Sequence, residues 1–250
     1  MFDSFSFLAI AGAFLIAGTV KGVIGLGLPT VSLALLAVAF DLPQAMALLL
    51  VPSFVTNLWQ AAVGSNSRAI LRRLWPFFLM ATVTVWLGAT ALTRVDLSLL
   101  SVLLGALLVV YSIVNLAGLR LTITPRQEAW IGPLVGTVTG ILTGMTGSFV
   151  VPGVLFLQAI GLSRDALIQA MGMLFTASTF ALALALQGHG VLTIELGTLS
   201  AAALLPALIG MVLGQQVRQM LSEQLFRRVF FISLLMLGAY IITSAFSSFK

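Results

Sequence analysis

The sequence predicts an all-α polytopic membrane protein. It is expected to be built as an inverted-topology repeat of about 8–10 membrane segments, some of them short, glycine-broken helices. Three observations carry that expectation: an extreme apolar composition, two near-copies of a glycine-rich segment, and arginines gathered in alternate loops. Of 250 residues, 60% are hydrophobic and only 8% are charged, with a mean hydropathy of +1.16. A water-facing domain carries roughly a quarter charged residues, so this chain cannot cover a soluble surface and reads as a single membrane domain over 1–250.

The near-copies are Gly18-Thr19-Val20-Lys21-Gly22-Val23-Ile24-Gly25-Leu26-Gly27-Leu28-Pro29 and Gly136-Thr137-Val138-Thr139-Gly140-Ile141-Leu142-Thr143-Gly144-Met145-Thr146-Gly147. Each repeats Gly-Thr-Val-x-Gly, then adds glycine and a proline, Pro29 or Pro152, inside an apolar run. A doubled, glycine-interrupted hydrophobic segment points to the binding site of a secondary transporter. Repeat one runs over about 1–118, a linker over about 119–129, and repeat two over about 130–250.

Taking about 20 apolar residues per crossing, spans fall near 5–21, 23–40, 43–63, 74–92, 98–118, 130–145, 148–160, 165–187, 196–214 and 229–247. The first two and their counterparts, 130–145 and 148–160, are short, and each pair either crosses twice or dips in and returns. Asp3 precedes the first run with no basic residue, unlike a cleavable signal peptide, so the first helix is expected to stay. Arg68, Arg72 and Arg73 lie in loop 64–73, Arg120 and Arg126 in 119–129, Arg164 in the turn at 161–165, and Arg218, Arg227 and Arg228 in 215–228. Alternate threading puts all of them on one side. The other side receives Arg94, Lys250, Asp3, Asp41, Asp96 and Glu195. The positive-inside bias makes the arginine side cytoplasmic and places both termini outside. An odd number of crossings per half then inserts the second copy upside down, and the two glycine breaks are expected to meet near the midplane.

Several chemistries lack their residues. There is no cysteine and one histidine, His189, which leaves no thiolate or histidine-rich metal site. No phosphate-binding loop, nucleophile elbow or paired intramembrane carboxylate occurs, so no enzyme, metal or cofactor is expected. The net charge of +5 is explained by membrane orientation rather than by nucleic acid.

The candidate binding residues are polar or helix-breaking groups inside spans. Gly18, Gly22, Gly136 and Gly140 have the spacing of close helix packing. The segments 25–30 and 144–148 read instead as the site, because a break exposes backbone N–H groups and a helix N-terminus suits an anion. That selects Gly25, Gly27, Pro29, Thr30, Gly144, Thr146, Gly147 and Ser148. Lys21 is the charge within the first copy, and its counterpart in the second is Thr139; it either attracts an anion or snorkels to the interface. Ser53, Asn57 and Gln60 share one face, with Pro52 loosening the helix before them. Gln169, Thr176 and Thr179 fall near the equivalent face in half two. Such amides either bind substrate or bond a neighbouring helix; Asn57, Gln60 and Gln169 are the cavity candidates. Trp59, Trp75, Trp86 and Trp130 read as interfacial anchors.

These residues resemble the TauE/SafE sulfite exporter family, also called the toluene sulfonate uptake permease family. The resemblance rests on Gly22–Pro29, on Gly140–Ser148, and on Pro52-Ser53-Phe54-Val55-Thr56-Asn57-Leu58-Trp59-Gln60-Ala61, which is similar to the family helix after the first signature. Many members carry consecutive glycines where this chain has Leu28-Pro29 and Ser148-Phe149. The resemblance implies a multi-pass protein of the bacterial cytoplasmic membrane that transports a small sulfur-containing anion such as sulfite, a sulfonate or sulfoacetate. The implied partners are that anion and the bilayer; a coupling ion, proton or sodium, and a homo-oligomer stay open. The alternatives are a passive anion channel and a non-transporting scaffold subunit.

Overall fold

The computed structural model describes residues 3–119, 121–218 and 222–247; Arg120 and Lys250 lie outside them. Among the described residues there is no strand. The helices are α1 (Ser4–Ile24), α2 (Leu28–Ala39), α3 (Leu42–Leu48), α4 (Leu50–Ala62), α5 (Ser67–Val83), α6 (Val85–Ala89), α7 (Leu97–Leu116), α8 (Pro125–Thr146), α9 (Gly153–Ala159), α10 (Arg164–Gly188), α11 (Ile194–Arg218) and α12 (Glu223–Ser247). A 3-10 turn, Thr90–Thr93, extends α6. Among the described residues, seven stretches are long and apolar enough to cross a membrane, with Ser67–Thr93 counted as one, or up to eight if the bent α3–α4 pair is one span.

The helix ends follow local chemistry. Asp3 and Asp96 accept hydrogen bonds from the backbone N–H of Ser6 and Ser98, and Ser163 from that of Ala166. These side chains satisfy donors that a helix start leaves orphaned. The same effects shift several boundaries from those expected. The basic stretch 64–73 is largely helix: α5 starts at Ser67, so Arg68, Arg72 and Arg73 ride on its first two turns. The linker 119–129 is also shorter than its composition indicated. Pro125 opens α8, and the Gln127 carboxamide oxygen accepts from the Thr124 N–H and hydroxyl, a proline-plus-capping start. In the spans expected at 23–40 and 148–160, α2 and α9 start only at Leu28 and Gly153, because a glycine break precedes each; Val23 and Ile24 still belong to α1.

The chain forms two compact units. The first is Met1–Pro52, Asp96–Gly118 and Thr193–Lys250; the second is Ser53–Val95 and Leu119–Leu192. Each therefore takes segments from both sequence repeats. In the first unit α1 packs along α11. A methyl group at Gly18 would collide with the Ala207 carbonyl, at Gly22 with that of Met211, at Gly210 with that of Leu15, and at Gly214 with that of Thr19. Both numberings rise together, so the helices run parallel, backbone against backbone, as small-residue interfaces in membranes allow. In the same unit α7 and α12 run antiparallel. Gly105 lies against Gly238 and Ile242, and Tyr111 meets Phe231 edge-on at 5.4 Å.

The second unit repeats this pattern internally. Here α8 runs parallel to α5 and α6: Gly136 abuts Phe77, Gly140 abuts Ala81 and Thr84, and Gly144 abuts Val85 and Ala89. The pair α4 and α10 is antiparallel, with Gln60 bonded to Ile168 and Phe54 facing Phe180 at 6.4 Å.

The stretch 43–63, expected as one span, is bent by 44° between α3 and α4. Pro52 explains the bend. It has no N–H, so the Leu48 carbonyl four residues earlier loses its helical donor. In the first unit the hydroxyl of Ser200, on α11, takes that place. It donates to the Leu48 carbonyl at 2.8 Å and accepts from the Val51 N–H at 3.0 Å. Ser200 is fully buried.

Three outcomes are expected from thermal unfolding in detergent. Ser200→Ala costs about 1–3 kcal/mol, the penalty for a buried backbone group left without its partner. Gly18→Val or Gly144→Val costs at least as much through overpacking. Gly12→Ala, with no atom within 4 Å of the added methyl, leaves stability unchanged or raises it by about 0.5–1 kcal/mol.

Candidate functional site

Each unit contains one interrupted helix pair. In the first, α1 ends on Gly25 with φ 78°, whose N–H bonds the Lys21 carbonyl at 2.8 Å. Gly27 follows with φ 102° and caps α2. A side chain at Gly27 would be strained in that left-handed conformation and would press on Val20 and Phe230. Pro29 sits in the first turn of α2, where its missing N–H is harmless. Thr30 is buried, as is Lys21 at 4% exposure. The Ser32 hydroxyl is spent on the Leu28 carbonyl at 2.8 Å. This unit therefore gathers Lys21, Gly25, Gly27, Pro29 and Thr30 within one turn-and-restart.

In the second unit α8 ends on Gly147 with φ 73°, its N–H bonded to the Thr143 carbonyl at 2.7 Å. Residues 148–152 are then non-helical, and Ser148, Phe149, Val150 and Val151 are all buried. Irregular backbone at membrane depth is tolerated only where protein or a polar cavity surrounds it. Two threonines hold its start. Thr143 donates its hydroxyl to the Ser148 carbonyl at 3.0 Å. Thr146 accepts from the Ser148 N–H at 3.2 Å while donating to the Leu142 carbonyl at 2.7 Å. Gly144, one turn earlier, faces α6 as a packing residue.

Helix α10 flanks this break, and α4 packs along α10. Phe149 contacts Phe175 at 5.7 Å, and Gly153 fits against Thr139 and Leu174. The amides lie farther along the pair and are engaged there. Gln60 Nε2 donates to the Ile168 carbonyl at 2.7 Å. Gln169 Nε2 donates to the Ala61 carbonyl at 2.9 Å, and its Oε1 accepts from the Asn66 N–H at 3.1 Å. Both glutamines thus tie α4, α10 and the 64–66 turn together. Asn57, 1% exposed, is one turn before Gln60 on the same face.

What the break does have nearby is unspent hydroxyl capacity. Ser53 Oγ, Ser148 Oγ, Ser178 Oγ and Thr179 Oγ1 are buried and make no hydrogen bond among the described residues. Ser178 and Thr179 stand one turn beyond Phe175, the ring that Phe149 touches. Ser53 adjoins Phe54, which faces Phe180, and so lies level with Thr179. Ser178 is the residue that sequence reasoning missed. Its signal was present, a hydroxyl in an apolar span beside Thr179, but its face could not be assigned without knowing what α10 packs against.

A site of neutral donors around buried, non-helical backbone suits an anion: hydroxyls and N–H groups can point inward while no carboxylate opposes them. Stretches 53–62, 147–160 and 171–188 hold no Asp or Glu. Among the described residues no group of three or more His, Asp or Glu side chains could hold a metal ion.

The two kinds of polar residue separate in a stability measurement. Gln169→Leu removes bonds to three backbone groups and is expected to cost about 2–4 kcal/mol. Ser148→Ala and Thr179→Val remove hydroxyls without protein partners and leave the unfolding temperature unchanged or raised.

A comparison with protein families finds a match to the sulfite exporter TauE/SafE model over residues 10–241, nearly the whole chain. Comparison with curated proteins and with solved structures finds no match. The family is one of membrane transporters of sulfur anions rather than of enzymes. With its apolar helices and a family match spanning almost all of its length, the chain belongs to the TauE/SafE sulfite exporter family.

Proposed function

We propose that this protein is a secondary transporter that moves a small sulfur-containing anion, of the sulfite, sulfonate or sulfoacetate type, by alternating access. The observation that carries the reading is a set of four buried hydroxyls without a partner among the described residues: Ser148 in the break after α8, Ser178 and Thr179 one turn beyond its neighbour Phe175, and Ser53 level with Thr179 on α4. A buried polar group without a partner costs about 1–3 kcal/mol, and four such hydroxyls make sense if a ligand supplies the partners. A sulfonate or sulfite group presents three acceptor oxygens to such donors. Gly147 and Ser148 start the segment, Thr146 and Thr143 hold its geometry, and Asn57 shares the Ser53 face. Lys21 and the Gly25–Thr30 break form the corresponding element of the other unit.

An inverted repeat supports the transport reading. Within one unit α1 is parallel to α11; within the other, α8, its sequence counterpart, is parallel to α5 and α6. The counterpart pairs α7 and α12, and α4 and α10, are each antiparallel. Inverted copies require these directions. By the same threading the arginine-bearing ends of α5, α8 and α10 lie in the cytoplasm, and both termini lie outside the bacterial inner membrane.

Reconstituted liposomes test the proposal. Labelled sulfite or a simple sulfonate is expected to enter with saturable kinetics and counterflow; absence of flux for every sulfur anion would overturn the reading, and single-channel currents would replace the carrier by a channel. Thr179→Val and Ser148→Ala are each expected to lower flux at limiting substrate about tenfold or more, the value of one hydrogen bond to a charged group.

A further inference from the structure

We propose that the groove between α5 and α8 is a binding site for an anionic phospholipid, with the phosphate on Arg73 and an acyl chain along the groove floor. The groove lies within the second unit and encloses about 460 Å³. Its walls include Phe77, Gly132, Pro133 and Phe156, and Arg73 and Glu128 stand at one end. Gly132 leaves it open, because a methyl there would meet nothing closer than Phe156 at 3.5 Å.

Depth is fixed by the tryptophans. Trp75 and Trp130 are 58% and 60% exposed on the two parallel helices, each two residues after a member of the ion pair, Arg73 and Glu128. Exposed tryptophans on apolar spans mark the headgroup level. The groove therefore runs from that level toward the hydrocarbon, as a phospholipid does.

The charge at its mouth selects the headgroup. Arg73 is held rigidly: Nε donates to Glu128 Oε1 at 2.8 Å, and Nη2 donates to Glu128 Oε2 at 2.6 Å and to the Ile160 carbonyl at 3.0 Å. That leaves Nη1 with two donors and no partner among the described residues, on a side chain 40% exposed. Arg68, Arg72 and Arg126 add exposed positive charge at the same end of the two helices, while Glu128 is already spent on Arg73; Arg164 and Asp165, at the start of α10, offset each other. A basic pocket between spans at the headgroup level is suited to an anionic lipid. A second apolar groove, in the first unit, provides the contrast. Ile16, Val20, Leu35, Phe226 and Ser233 line it, with no charged residue.

The test is native mass spectrometry of the whole protein after exchange into an equimolar mixture of phosphatidylglycerol and phosphatidylcholine. Wild type is expected to retain phosphatidylglycerol in about fivefold preference, the factor that one well-placed basic residue supplies. Gly132→Leu, which fills the groove, is expected to bring the ratio to about one, whereas Ser233→Leu in the uncharged groove leaves it unchanged. The pair Arg73→Gln with Glu128→Gln, which keeps a hydrogen bond but removes both charges, also brings the ratio to about one. Equal retention of the two lipids by wild type overturns the proposal. So does an undiminished preference in folded Gly132→Leu or, should that variant not fold, in the double glutamine variant.

Discussion

In hydrocarbon no water is available to a backbone N–H or carbonyl, so every one of them must find its partner within the protein. That constraint organises this chain. It makes all long segments helices, and it makes each interruption a place that the rest of the structure must serve. The break before Pro52 is served by one hydroxyl, Ser200, which binds a carbonyl and an N–H together. The break after Gly147 is served at its start by Thr143 and Thr146. Beyond that start, Ser148 Oγ in the break, and Ser178 and Thr179 one turn beyond Phe175, have no hydrogen-bond partner among the described residues. The first break is closed by protein hydrogen bonds; beside the second, Ser148 Oγ is left without a partner among the described residues.

The glycines serve two separate ends under this constraint. Gly25, Gly27 and Gly147 have positive φ and turn the chain where an L side chain would be strained. Gly18, Gly22, Gly136, Gly140 and Gly144 have helical backbone and let two spans approach until the carbonyls of one occupy the space of a missing methyl on the other. Close packing and interruption are neighbours in sequence, so a closely packed pair of parallel helices ends directly in a break. This is how α8, clamped on α5 and α6, can hold Ser148 and Phe149 in place against α10.

Much of the fold was legible in the sequence because its determinants are local. Apolar length, Gly-Thr-Val-x-Gly, proline and arginine placement indicated helices, breaks and threading. Pro52 marked the bend before Asn57. Less was legible where a property belongs to a contact. The Gln60 and Gln169 side chains bond the backbone of each other's helix region, which depends on α4 and α10 meeting antiparallel. Ser178 and Ser200 look alike in sequence, yet one lacks a protein partner and the other bridges a kink. The exchange of segments between repeats, by which α1 packs on α11 and α8 on α5 and α6, has no local signal. The helical start at Ser67 was hidden by three arginines, whose charge reads as loop until Glu128 and the headgroup level give them a place.

The central claim is that the interrupted segment after α8, with its hydroxyl neighbours, receives the anion. Hydrogen–deuterium exchange of the backbone amides in 147–153, measured with and without saturating sulfite or a sulfonate, tests it most directly. The account predicts slowed exchange in that segment on ligand addition, with the effect lost in Thr179→Val. Ligand-dependent protection elsewhere in the chain, with 147–153 unchanged, would contradict it.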